Sequence, residues 1–150
     1  MFNESIGKRS TPVKNIVERG AVKKFALSIG DPHPIFIDEE IGRQSRYGTN
    51  IAPPTFPRVF EFGTIESLNL PNKGLIHGEQ IYRYHRPLKV GEEITCYTEV
   101  KDYYEKKGKQ GEMGFLAFKN YGTDANGEIV FTAEQLVILN ETIRRMVMSK

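Results

Sequence analysis

The chain has 150 residues, of which 39% are hydrophobic and 27% charged, with a formal net charge of +2. These are ordinary values for a soluble globular protein, and the positive charge is too small and too scattered to mark a nucleic-acid binder. A single cysteine, Cys96, excludes an internal disulfide and a cysteine-based zinc site. Residues 1–10 lack the apolar core of a signal peptide, and no apolar run approaches membrane-spanning length. The expectation is one cytoplasmic domain over residues 1–150, with polar tails at about 1–10 and 141–150. A domain of this length buries roughly two thirds of its unfolded surface.

In chain order, Val13, Ile16 and Val17 around Pro12 suggest a short edge strand. Val17, Ala21, Val22, Phe25, Ala26 and Ile29 then recur at the spacing of one apolar helical stripe, and Gly30 supplies the stop. A second short helix is predicted to open at Asp38, an N-cap with Glu39 and Glu40 in the first turn, and to end at Gly48. Pro53 and Pro54 force extension. Phe56, Val59, Phe60, Phe62, Ile65 and Leu68 follow, read as a helix surrounded by protein. Pro71 and Gly74 break it. From Leu75 the pattern is that of a β-meander: 75–88, a cleanly alternating 94–101, a strand over 113–121 apolar on both faces, and 129–139. Lys106, Lys107 and Lys109 fall at a hairpin tip, and Asp124-Ala125-Asn126-Gly127 has hairpin-turn chemistry. One long apolar helix beside a curved, five-stranded antiparallel sheet is an α+β arrangement, the hotdog fold.

Between the first two helices lies Gly30-Asp31-Pro32-His33-Pro34-Ile35-Phe36-Ile37-Asp38. Pro32 and Pro34 fix two φ angles and remove two donors, so Asp31 and His33 are held in a stiff loop. An acid and an imidazole in such a frame are candidate functional groups. The structural alternative is a capping aspartate beside a surface histidine. His77, His85, Tyr82, Tyr84 and Tyr103 read as packing or surface groups.

The loop resembles the signature of the MaoC-like (R)-specific hydratase/dehydratase family, G-D-x-N-P-[aliphatic]-H-x-[DE] after a helix. Ala52-Pro53-Pro54-Thr55-Phe56 and the run from Gly78-Glu79-Gln80 through Tyr84-His85-Arg86-Pro87-Leu88 also look like this family, closest to its N-terminal half-domains and its HadA-type subunits of (3R)-hydroxyacyl-ACP dehydratase. The resemblance spans nearly the whole chain, with two departures: His33 stands at the family's asparagine and Phe36 at its catalytic histidine. Catalytic members interconvert (3R)-3-hydroxyacyl and trans-2-enoyl thioesters with an Asp/His pair and a backbone N–H that polarises the thioester carbonyl. Here Phe36 cannot move a proton, and Pro53 and Pro54 have no N–H, leaving Thr55 as the first donor of the buried helix.

The resemblance leaves three readings. In the first, the chain is an acyl-chain-binding subunit paired with a hotdog chain that carries the complete dyad; Pro34, Phe36, Pro54, Thr55 and Phe56 would bind substrate. In the second, Asp31 and His33 form a displaced catalytic dyad and a homodimer is itself active. In the third, the fold is an acyl-thioester-binding or thioesterase hotdog without hydration chemistry, with Glu61 or Glu66 on the buried helix as its carboxylate. All three imply an acyl thioester of CoA or acyl carrier protein as ligand, a hotdog partner (homodimeric or heterodimeric) to cover an edge strand, and no cofactor, metal, nucleic acid or membrane.

Overall fold

In the computed structural model, which describes residues 2–71, 73–109 and 111–148, all strands join one antiparallel sheet. They are β1 (Val13–Ile16), β2 (Leu75–Tyr84), β3 (Glu93–Gly108), β4 (Gly111–Thr123) and β5 (Ile129–Leu139), in the spatial order β1-β3-β4-β5-β2. The period-2 alternation in the sequence is realised as one face turned inward and one outward. Ile94 and Cys96 of β3, Leu116 and Phe118 of β4, and Phe131, Ala133 and Leu139 of β5 are buried on the inner side. The β4–β5 turn is fastened by Asp124, whose Oδ1 accepts from the N–H groups of Asn126 and Glu128 at 2.9 and 3.0 Å.

The first apolar stripe forms helix α1 (Arg19–Ser28), with Val22 and Ala26 fully buried and Ile29, at 47% exposed, beyond its end. Gly30 adopts φ +72°, which lets the Asp31 N–H reach back to the Ala26 carbonyl at 2.9 Å and closes the helix C-terminus. Two short helices follow, α2 (Pro34–Ile37) and α3 (Glu39–Gln44). Asp38 caps α3 as expected, its Oδ1 accepting from the Glu40 and Ile41 N–H groups at 3.0 and 3.2 Å.

The sequence reading fails most clearly at the long buried helix. Phe56–Val59 is a single 3-10 turn, and residues 60–70 run on in an irregular, extended course. Gly63 sits at φ +78° with its α-carbon pressed against β1's approach segment; a Cβ there would stand 2.4 Å from the Thr11 carbonyl oxygen. That conformation ends any helix, and the run of Phe, Thr and Ser around it has little helical propensity to resist it. The segment instead pairs with the N-terminal strand through side chains. Asn15 donates to the Glu61 carbonyl and accepts from its N–H, both at 2.9 Å, and the Ser10 hydroxyl donates to the Phe62 carbonyl at 2.5 Å. Most of the apolar side chains still pack inward, but from a ribbon: Phe56, with the half-buried Phe60 and Phe62, joins one core cluster, and Ile65, with the half-buried Leu68 and Leu70, a second, while Val59 is exposed.

Both ends of the chain are more ordered than their polarity implies. Phe2 is buried at the head of a 3-10 turn, stacked obliquely on Tyr103 with ring centroids 4.8 Å apart. Helix α4 (Glu141–Met148) packs Ile143 and Val147 onto the second cluster, and Arg144 bridges Glu105 and Glu112 at 3.1 and 3.2 Å.

Candidate functional site

The proline-framed loop is held from beneath by one buried side chain that hydropathy gives no reason to notice. Asn50, 1% exposed, donates from Nδ2 to the carbonyls of Ile35 and Asp38, both at 2.8 Å. Its Oδ1 accepts from Arg19 at 2.5 Å, and Arg19 in turn meets Glu39 at 3.1 Å. Gly42 is the close neighbour this requires: a Cβ there would lie 2.6 Å from Asn50 N. One amide thus ties α1, α2 and α3 together and fixes the position of Phe36.

Above this base opens a pocket of about 510 Å³. Asp31, His33 and Phe36 form one wall, Ala52 and Pro54 another, and Tyr84, His85 and Arg86 at the end of β2 a third. Of the sequence-predicted residues, Asp31, His33, Phe36 and Pro54 therefore share one cavity. Pro34 heads α2 as its first residue and does not line the pocket. Phe56 lies behind it in the core, edge-on to Phe25 and Phe60, and Thr55 makes no side-chain capping bond. Because the buried helix does not form, Thr55 heads only a four-residue 3-10 turn, which carries little of the dipole a helix start would offer. Glu61 and Glu66, placed on that helix in the thioesterase reading, are exposed side chains of the irregular segment.

The chemistry of the two titratable loop residues is constrained. His33 caps α2, its Nδ1 accepting from the Ile35 N–H at 3.1 Å. A neutral imidazole in that role carries its proton on Nε2, which is left as a donor. Asp31 and His33 are both exposed, and among the described residues no hydrogen bond or ion pair links them. Phe36 is 8% exposed, belongs to the core cluster beside α1, and stands edge-on to the His33 ring at 6.0 Å.

Tyr84, read from sequence as a packing residue, is the more constrained group. Its hydroxyl donates to the Pro54 carbonyl at 2.6 Å and its ring packs on Phe131 at 5.6 Å. Burial, reinforced by neighbouring Tyr82, pushes the phenol well above its usual range. Arg86 is held as a cation by Glu92 at 2.9 Å, with Asp124 at 3.8 Å. Among the described residues no three His, Cys, Asp or Glu side chains converge as a metal cluster. No helix among them is long and apolar enough to cross a membrane.

The sheet order, with the proline-framed loop and its pocket set against the sheet, defines a protein of the hotdog fold. Residues 4–133 match the family model described as "FAS1-like, dehydratase domain region", and the chain belongs to that family. A UPF0336 protein of Thermobifida fusca is 30% identical over 129 residues, covering 82% of each chain. Among solved structures, the HadBC (3R-hydroxyacyl-ACP dehydratase) complex of Mycobacterium tuberculosis superposes with TM-score 0.72 at 21% identity, over 89% of this chain and 96% of that one. A MaoC-like dehydratase from Rhodospirillum rubrum gives 0.71 at 22% identity, over 93% and 95%. At these identities the two structures share the fold with this chain.

Proposed function

We propose that the chain is the acyl-chain-binding half of an (R)-specific 3-hydroxyacyl-thioester dehydratase, equally an enoyl-thioester hydratase, and works beside a hotdog chain that carries the complete Asp/His dyad. The observation that carries this reading is Phe36. It occupies the place of the histidine in the family signature, and it does so as a buried, packed side chain that gives the pocket an apolar wall. A general base has to lie within hydrogen-bond reach of the proton it takes, and the one imidazole on that wall has its Nδ1 committed to capping α2. The ligand is an acyl thioester of CoA or acyl carrier protein, whose chain suits a largely apolar pocket of this size.

A hotdog partner is supported by the sheet's edges. β2 ends the strand order, and no described strand pairs with its outer side, so its backbone groups there are available to a second sheet. The fold's likeness to a chain of the two-subunit HadBC complex supports the same arrangement. In an assay with crotonyl-CoA, the purified chain is expected to show negligible hydration, and co-purification of its catalytic partner from the native source to bring activity. Strong turnover by the lone chain, abolished by His33→Ala, would instead establish the displaced dyad, a reading favoured by Asp31 and His33 lining the same pocket.

A further inference from the structure

The outward face of the sheet is not uniformly polar, as the solvated face of an antiparallel sheet commonly is. Strand register sets Tyr104 opposite Phe115, Phe115 opposite Ile138, and Ile138 opposite Ile76, so one apolar row crosses β3, β4, β5 and β2. None of the four belongs to either core cluster, and Ile76 and Tyr104 are 52% and 36% exposed. The Tyr104 and Phe115 rings stack nearly parallel, with centroids 5.0 Å apart. Gly78 of β2 leaves room for Ile138 to lie along the sheet; a Cβ there would stand 2.9 Å from the Ile138 Cδ1. A contiguous apolar stripe on a solvent-facing sheet marks an interaction surface.

The residues on either side of this row show what covers it. On one side, β4 presents the small Ala117, which with Tyr104 and Leu136 forms a hollow of about 230 Å³. On the other side β4 presents Met113, an unbranched side chain suited to filling such a gap. On β3 the same two sides carry opposite charges: Asp102 stands opposite Ala117 and Lys106 opposite Met113. Asp102 accepts from the N–H of Tyr103 at 2.8 Å, and Lys106 rests over the Tyr104 and Phe115 rings, its Nζ 5.4 and 5.8 Å from their centroids. Among the described residues neither charge has an ion-pair partner, and both side chains are exposed. An anion and a hollow on one side of the row thus match a cation and a projecting side chain on the other.

We infer that this face binds the same face of a second copy of the chain, about a two-fold axis that runs along the Tyr104–Phe115–Ile138–Ile76 row. Rotation about that axis keeps each strand over its own counterpart and reverses its direction. The row then packs on itself, Met113 of each copy enters the Ala117 hollow of the other, and each Lys106 swings off the rings onto the other copy's Asp102. Every contact occurs twice, which is the self-complementarity an isologous interface requires. Face-to-face sheets of this kind pack about 10 Å apart with their strands within about 30° of one another. The contact leaves the outer edge of β2 free, so it adds to edge pairing with a hotdog chain and joins two such pairs back to back. It does not depend on the proposed function.

Sedimentation equilibrium of the full chain across the micromolar range tests this. The parent is expected to reach twice the mass of Phe115→Glu, a change that sets two carboxylates against each other on the axis; far-UV circular dichroism checks that the variant is folded. Asp102→Lys and Lys106→Glu should each weaken the doubling about tenfold, because each sets like charges together at two places. Combining the two reversals should restore it. Equal masses for the parent and a folded Phe115→Glu overturn the inference, and so does a face that is covered only when a different protein is added. A doubling that both single reversals leave unchanged, or that the combined variant fails to recover, overturns the two-fold arrangement. The charge reversals, on exposed side chains, decide the question if Phe115→Glu does not fold.

Discussion

Replacing Asn50 removes the post on which the loop stands. Asn50→Ala deletes three hydrogen bonds in one step, to the Ile35 and Asp38 carbonyls and from Arg19. At about 1 kcal/mol net for each bond, and more where a buried carbonyl is left unpaired, the loss is about 3–5 kcal/mol. For a chain of this length that corresponds to a fall of roughly 6–20 °C in melting temperature. Urea unfolding followed by both far-UV circular dichroism and tyrosine fluorescence measures it, and the chain's seven tyrosines and absence of tryptophan make the second signal clean. Asn50→Asp is the informative companion. It keeps the shape and the acceptor for Arg19 but turns both donated bonds into contacts between a carboxylate oxygen and a carbonyl, so it should cost about as much as alanine at neutral pH. Stability within about 1 kcal/mol of the parent in either variant would refute the assignment of Asn50 as the tie between the three helices.

Other substitutions separate strain, packing and ionisation. Gly63→Ala is expected to destabilise by about 2 kcal/mol or more, since it meets both a left-handed φ and the Thr11 carbonyl, whereas Gly91→Ala, at φ +95° in open space, meets only the first; equal denaturation midpoints for the two would contradict the close approach. Phe36→Ala should cost about 3–5 kcal/mol as a core truncation, and a change below about 1 kcal/mol in urea unfolding would mean that the ring is not packed where the structure has it. Burial pushes the Cys96 thiol up to about 12 from its ordinary 9.0, and raises Tyr84 above the ordinary 10.0 of a phenol. Both neutral forms are thus favoured by folding. Their stabilisation is complete below those unfolded values and is lost as pH rises through the folded ones. Denaturation midpoints should therefore fall steadily above pH ~9, and Cys96→Val or Tyr84→Phe should flatten that slope; an unchanged slope in both would show that these groups do not carry it.

Where the chain's periodicity was strong, local sequence and tertiary structure agree. Alternation over 94–101, the strand over 129–139, the stripe from Val17 to Ala26, Asp38 as a cap and the Asp124–Gly127 turn all depend on interactions within a few residues of one another, and each is realised. The segment 56–68 shows the limit of that reasoning. Its apolar residues carry the same message whether they are buried from a helix or a ribbon, and the choice falls to a contact just over fifty residues away, between Gly63 and Thr11. Phe2 and α4 looked like tails for the same reason: their burial depends on Tyr103 and on the second cluster, which are distant in sequence.

The site divides in the same way. Sequence by itself determined the stiff loop, the presence of an acid and an imidazole within it and the absence of an imidazole at Phe36, because proline geometry and residue type are local properties. Tertiary structure alone decided that His33 spends its Nδ1 on a backbone N–H, that Asn50 holds the loop, and that Tyr84 closes on Pro54. It also decided that four polar side chains from four strands, Gln80, Thr98, Asn120 and Gln135, meet under the missing helix. Each sits at an inward position of its own strand, where alternation calls only for burial; that they form a belt follows from strand register, which no single strand specifies.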